Sequence, residues 1–161
     1  MTVTTVLTDK EAKTLTLTAQ FAAPIDRVWQ LWADPRKLER WWGPPTYPAT
    51  MVQHDLRAGG RVTYFMTGPE GDQHHGWWHV VRADAPTTIE FEDGFADNDG
   101  TPNPDMPVTT TRVTLDEHAD GGTRMIVEST FPSDEALAQL VEMGMVEGLT
   151  EAMGQMDALL D

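Results

Sequence analysis

Apolar and polar residues alternate strictly between Thr14 and Phe21, near the beginning of the chain. Leu15, Leu17 and Ala19 share one face of this segment with Phe21, and the residues between them are polar. Successive side chains of an extended chain point to opposite faces of a sheet, so a period of two is typical of a half-buried strand. The pattern predicts the first strand of a sheet.

Two short helices are predicted directly after this strand. Pro24 suits the first position of a helix, because the N–H that proline lacks would have no partner there. The apolar residues that follow recur at steps of three and four, which is the spacing of one helix face. Asp34 can cap a second helix over Pro35–Trp42, and Gly43 with the two prolines after it ends that helix.

Between Thr46 and Phe131, six segments show strand patterns separated by turn residues. Their connections are too short for parallel crossovers, so the pattern predicts an antiparallel meander. A three-residue loop at residues 58–60 would place His54 opposite Tyr64. The predicted strands are Thr50–Arg57, Arg61–Thr67, Gly76–Ala83, Thr87–Asp93, Val108–Leu115 and Thr123–Phe131.

The last part of the chain predicts one long helix. Ser133 can cap it, and acidic residues follow in its first turn, at the positive end of the helix dipole. From Leu137 to Leu160 apolar or small residues recur at steps of three and four. These elements predict an α+β helix-grip fold, β-α-α-β6-α, with a curved seven-stranded antiparallel sheet wrapped around the long C-terminal helix. Residues 1–161 are expected to form a single domain, because the length suits one core and no linker interrupts it.

The apolar stripe of the predicted C-terminal helix contains small residues at every fourth position, namely Gly144, Gly148 and Ala152. Two outcomes are open: either the helix approaches the sheet closely, or it leaves a void that a ligand fills. Flexible methionines and large aromatic side chains on the inner faces would suit an apolar ligand of varied shape. The predicted ligand-binding residues are His54, Tyr64, Met66, Trp78, Phe91, Met145, Gly148, Leu149 and Met153.

His54 and Tyr64 form the best polar pair in the predicted cavity, and three interpretations of the pair are open. They could orient a carbonyl or hydroxyl group of a ligand. They could act as acid and base on an enolisable ketone, because imidazole titrates near neutrality. His54 could also be a hydrogen-bonded core residue. Ligand binding is favoured over catalysis, so no catalytic residue is assigned. The long connection Gly94–Pro107 either borders the cavity mouth or is a solvated loop.

No metal site or cofactor site is predicted. His75 and His79 share a strand face but are too far apart along an extended strand to bind one ion together. Residues 97–100 superficially fit a calcium-binding loop, but its first ligand position would then be Phe95 and its twelfth Met106, which cannot bind calcium through their side chains. Gly59 and its neighbour lie in a hairpin and precede no helix, so they do not form a phosphate-binding loop.

The composition narrows the class of partner. The 161-residue chain has 26 acidic and 11 basic side chains, a net charge of −15, and no cysteine. This excess of negative charge argues against nucleic acid and anionic lipid as partners, and the lack of cysteine excludes disulfides and thiolate chemistry. With no stretch of eighteen apolar residues, a membrane partner is not expected and the cytoplasm is the expected location. A homodimer is left open.

The order of several short motifs resembles the AHSA-type branch of the START-like SRPBCC superfamily. This resemblance implies the START/Bet v-like helix-grip fold. It also implies three classes of function: binding of a small hydrophobic or aromatic ligand, a cyclase, dehydratase or hydrolase activity that uses His54 and Tyr64, and docking to a chaperone through exposed tryptophans of the short helices. Ala19 and Met145 depart from the arginine and tryptophan common in relatives. The motifs are Phe21–Pro24 with Val28-Trp29 and Trp32, Asp34-Pro35, Leu38, Trp41–Pro44, Asp55–Arg61 and Gly121–Arg124.

Overall fold

The computed structural model describes residues 2–160, in which eight strands form one antiparallel sheet beside four α-helices. Two 3₁₀ turns, Ala119–Gly121 and Asp157–Leu159, complete the regular structure. In chain order the elements are β1 (Thr2–Asp9), β2 (Thr14–Phe21), α1 (Ile25–Ala33), α2 (Pro35–Leu38), β3 (Ala49–His54), β4 (Arg61–Thr67), β5 (Gln73–Asp84), β6 (Thr88–Ala96), β7 (Thr109–His118), β8 (Gly122–Thr130), α3 (Asp134–Glu142) and α4 (Met145–Gly154).

The sheet has the strand order β1-β2-β8-β7-β6-β5-β4-β3. Strands β3 to β8 therefore form the predicted antiparallel meander, and β2 closes it by pairing with β8. The predicted count of seven strands is wrong, because β1 adds an edge strand that pairs with β2. Residues 5–9 of β1 are exposed. Because these residues bury no side chain, this part of the sequence lacks the apolar alternation that marked the other strands.

The tryptophans of the two predicted short helices are buried, although Trp41 lies just after the end of α2. Trp29, Trp32 and Trp41 are all buried, and the Trp41 indole N–H donates to the backbone oxygen of Leu31 at 2.8 Å. The prediction of exposed tryptophans on these helices is therefore wrong, because their rings fill the core between α1 and the sheet. Asp34 caps α2 as predicted, accepting a hydrogen bond from the Arg36 N–H at 2.9 Å, although α2 ends earlier than predicted, at Leu38.

The C-terminal segment is two helices rather than one long helix. Ser133 caps α3 as predicted, because its hydroxyl accepts a hydrogen bond from the Ala136 N–H at 3.0 Å. Gly144 then adopts φ +90°, a left-handed conformation that ends the first helix and that glycine tolerates best. The chain then forms α4. Directly after α4, the Gln155 side-chain amide donates a hydrogen bond to the backbone oxygen of Gly43 at 2.7 Å.

The β3–β4 hairpin has a different register from the predicted one. Tyr64 pairs with Met51, and His54 pairs with Val62, with an irregularity between Met51 and Gln53. The prediction that His54 faces Tyr64 is therefore wrong. It assumed regular pairing up to a three-residue loop, whereas β3 ends at His54 and a bulge shifts the register within the strand.

Candidate ligand-binding site

A cavity of about 300 Å³ lies between the inner face of the sheet and helices α3 and α4. This volume is at the lower end of the range for small-molecule sites, roughly 300–1,000 Å³. Most of its wall is apolar, with one polar stretch on β6, β7 and β8. The lining residues are Trp42, Pro44, Tyr64, Met66, His74, His75, Gly76, Asp93, Gly94, Phe95, Pro107, Thr109, Thr111, Val127, Ser129, Leu140, Met143, Gly144, Met145, Gly148 and Leu149.

Small residues on the C-terminal helices leave this space open. A Cβ atom added to Gly148 would have no neighbour within 4 Å, so the glycine is not there to allow close contact with the sheet. Met145 and Leu149, on either side of it in α4, are only half-buried and also line the cavity. The small-residue stripe left open either a close approach of the helix to the sheet or a void, and at Gly148 the structure has a void.

Five of the nine predicted binding residues line the cavity. These residues are Tyr64, Met66, Met145, Gly148 and Leu149.

The other four predicted residues lie outside the cavity lining. The His54 Nε2 atom lies 3.0 Å from the backbone oxygen of Trp32, a hydrogen bond that holds its ring near α1. Trp78 and Phe91 are fully buried and stack on each other with ring centroids 3.9 Å apart. Met153 is also fully buried. These side chains form part of the core, and periodicity cannot distinguish an inward position in the core from one on a cavity wall.

The position of the Tyr64 ring depends on Gly76, which is not among the predicted binding residues. The two residues are cross-strand partners in β4 and β5. A Cβ atom at Gly76 would overlap the Tyr64 hydroxyl oxygen, so only glycine lets the phenol lie across β5 in this position. The Trp42 ring packs edge-to-face on Tyr64, with centroids 6.1 Å apart, and forms the adjacent wall.

The polar stretch of the wall centres on Asp93. The Thr111 hydroxyl donates to Asp93 Oδ1 at 3.3 Å, and the Thr111 and Ser129 hydroxyl oxygens are 3.1 Å apart. Burial raises the pKa of Asp93 from 3.8 to about 7, against a smaller opposing effect of the Thr111 hydrogen bond. The cavity therefore contains a carboxyl group that changes charge near neutral pH.

Tyr64 is the phenol on the same wall. Burial raises its pKa well above the ordinary value, and the nearby Asp93 carboxylate raises it further. The indole N–H groups of Trp42 and Trp78 lie close enough to lower that pKa slightly, but neither meets the geometry of a hydrogen bond, and both lack a partner among the described residues. The Tyr64 hydroxyl likewise has no hydrogen-bond acceptor in the described part of the chain.

The signal for Asp93 was present in the sequence. Ile89, Phe91, Asp93 and Phe95 alternate with their neighbours, so Asp93 shares the inner face with Phe91. The predicted strand ended at Asp93, whereas β6 continues to Ala96 and places Phe95 in the cavity wall.

Three further findings concern the mouth, metals and membranes. His74 and His75 line the mouth of the cavity. The His74 Nε2 atom is hydrogen-bonded to Oδ2 of the exposed Asp72, at 2.6 Å. Among the described residues, no three His, Asp or Glu side chains converge on a point where a metal ion could bind. No helix within residues 2–160 combines the length and the apolar character that crossing a membrane requires.

Comparison with known proteins places the whole chain in one structural group. The family model described as "Activator of Hsp90 ATPase homolog 1-like protein" matches residues 22–161. The crystal structure of protein Ms6760 from Mycobacterium smegmatis is 55% identical, with TM-score 0.91 over 99% of this chain and 97% of that chain. An NMR structure of a protein from Arthrobacter aurescens is 47% identical, with TM-score 0.94, and the match covers 99% of this chain and 92% of that chain. No curated protein matches.

Proposed function

The chain belongs to the family of Activator of Hsp90 ATPase homolog 1-like proteins, and from that premise we propose that it binds a small, mostly apolar metabolite between the sheet and helices α3 and α4. The observation that carries the proposal is the cavity of about 300 Å³ with the open space beside Gly148. An interior packed only for stability would fill such a space, because each buried void forfeits favourable contacts.

The nature of the wall supports a ligand with an apolar body. Met66, Met145 and Leu149 supply adaptable aliphatic surface, while Trp42 and Phe95 supply flat aromatic surface. Burial of apolar area gives roughly 25 cal/mol per Å², so a small aromatic ring system would gain most of its affinity here without any charged contact.

Two other functions have less support. Catalysis by His54 and Tyr64 would require both groups to face one substrate, but His54 is bonded to the Trp32 backbone and lies outside the cavity lining. A chaperone-docking role is suggested by the family's description. The tryptophans of α1 that would have formed its contact surface are buried, so nothing on the described surface favours that role.

Two glycines of α4 provide a matched test. Gly148→Leu adds bulk inside the cavity, whereas Gly154→Leu adds the same bulk at an exposed position of the same helix with nothing within 4 Å. Binding of 2-ethylnaphthalene would be measured by protein-observed NMR titration, with circular dichroism as the check on folding.

We expect Gly148→Leu to abolish binding and Gly154→Leu to leave it unchanged. Equal binding by the wild-type protein and both variants would refute the proposed cavity as the binding site. A wild-type protein that binds no probe of this kind would refute the proposed function itself.

A further inference from the structure

The cavity wall contains a hydrogen-bond acceptor, Asp93, with only one hydrogen bond, and a donor, Tyr64, with no acceptor among the described residues. Asp93 accepts a single long hydrogen bond from Thr111, which leaves most of its lone pairs free. The Asp93 carboxylate contributes to the raised pKa of Tyr64, and the two side chains are not hydrogen-bonded to each other. The indole N–H groups beside Tyr64 can only donate hydrogen bonds, so they cannot accept the Tyr64 proton, which is left for another acceptor.

The strand register places these two groups on β4 and β6, on either side of β5. Asp93 on β6 pairs directly with Trp78 on β5, and Gly76, two residues along β5, pairs with Tyr64 on β4. Tyr64 and Asp93 therefore approach each other diagonally across β5, over the residue whose missing side chain makes room for the phenol. Both line the cavity.

We propose that the ligand carries a hydroxyl group on its apolar body, which donates its proton to Asp93 and accepts a hydrogen bond from Tyr64. The proposal rests on the proposed binding function and specifies the chemistry of its ligand. A hydroxyl group is neutral and is both donor and acceptor, so it satisfies the two wall groups at once. Buried polar groups are stabilised when they are paired, and an apolar ligand would leave both unpaired.

Other ligand classes match this wall less well. A carboxylate would place a second negative charge beside Asp93. A ketone could accept from Tyr64 but has nothing to donate to an ionised Asp93. An ammonium group would pair with Asp93 but has no acceptor for the Tyr64 proton. The negative charge of the chain also makes anionic ligands the least favoured class.

The charge state of Asp93 determines the pH at which its hydrogen bond with the ligand hydroxyl is strongest. The titratable groups that line the cavity with it are Tyr64 from β4 and, at the mouth, His74 and His75 from β5. Its sequence neighbour Glu92 is hydrogen-bonded to His79 on the outer face of the sheet. Since the pKa of Asp93 is about 7, an ionised acceptor is present mainly above neutral pH.

Five naphthalene probes that differ only in one substituent test the proposal on the wild-type protein. They are 2-naphthalenemethanol, 2-ethylnaphthalene, 2-acetylnaphthalene and 2-naphthoate, with 2-naphthalenemethylamine as the cationic comparison. Dissociation constants would be measured by isothermal titration calorimetry or NMR titration at pH 8.5 and pH 5.5. We expect the alcohol to bind at least about 10-fold more tightly than the ethyl compound at pH 8.5, and this preference to shrink at pH 5.5.

A pair of isosteric variants identifies the acceptor. Asp93→Asn should reduce the preference for the alcohol by about 10-fold while the ethyl compound binds as before. Glu92→Gln removes one carboxylate from the same strand outside the cavity and should change neither affinity.

Each alternative result has a distinct meaning. If the ethyl compound binds as tightly as the alcohol, the hydroxyl proposal is overturned and the binding function stands. Tighter binding of the ketone, the naphthoate or the amine also overturns it. If no probe binds, the proposed function fails as well. Because the probe comparison uses the wild-type protein, it remains decisive even if Asp93→Asn does not fold.

Discussion

Asp93→Asn is also expected to stabilise the empty protein, and by an amount that depends on pH. Burial raises the pKa of this carboxyl group from 3.8 to about 7. Between these values the folded state holds a proton that the unfolded state has released, so wild-type stability falls as the pH rises through this window. Asparagine has no charge to desolvate, so the Asp93→Asn variant should not lose stability through this pH window.

The size of the effect follows from the same shift. A rise from 3.8 to about 7 corresponds to about 4 kcal/mol, at about 1.4 kcal/mol per pH unit. The cavity can admit water, which would solvate the carboxylate, so we expect the variant to be more stable by about 2–4 kcal/mol at pH 8. At pH 5, below the folded-state pKa, the difference should be less than half as large.

Urea unfolding followed by tryptophan fluorescence would measure the free energy of unfolding at both pH values. Comparing the variant with the wild type cancels the contribution of the other acidic groups. Glu92→Gln is the matched control, and its exposed side chain should change stability by less than about 1 kcal/mol at either pH. A difference between Asp93→Asn and wild type that is equal at pH 5 and pH 8, or a variant less stable at pH 8, would show that the carboxyl group is not desolvated.

Three further predictions concern single residues. Gly76→Ala should destabilise the fold by about 1–3 kcal/mol in chemical denaturation, because its Cβ overlaps the Tyr64 ring, and Tyr64→Leu in the same chain should recover part of that loss. Ser133→Ala should lower the free energy of unfolding by about 1 kcal/mol in chemical denaturation, because it removes the side-chain cap of α3. Tyr64→Phe should weaken the decline of stability above about pH 10, because the folded state keeps the phenol proton that the unfolded state loses there.

Elements with a buried apolar face were the ones that the sequence could predict. The caps Asp34 and Ser133 and strands such as β4 were predicted because each leaves a local pattern in its own residues. Residues 5–9 of the edge strand β1 are exposed and left no such pattern. The break at Gly144 was missed because glycine fits both the interior of a small-residue stripe and a left-handed helix end.

The candidate site was only partly predictable, for a physical reason. Sequence periodicity assigns a residue to the inner face, but whether it meets core or cavity depends on the elements opposite. Trp78 and Phe91 stack on each other and are fully buried in the core, while Tyr64 on β4 lines the cavity. The register error at the β3–β4 hairpin similarly paired His54 with the wrong partner, because a bulge is a feature of two strands and is not encoded in either alone.

The polar wall is costly for the empty fold, and this cost supports its role in binding. Apolar residues at positions 93, 111 and 129 would continue the core of β6, β7 and β8, and they would remove a buried carboxyl group with a raised pKa. The fold does not use Asp93 to hold itself together, since its single hydrogen bond, from Thr111, is long. Stability alone therefore does not explain an acid at this position, whereas a ligand hydroxyl that pairs with it would offset its desolvation in the bound state.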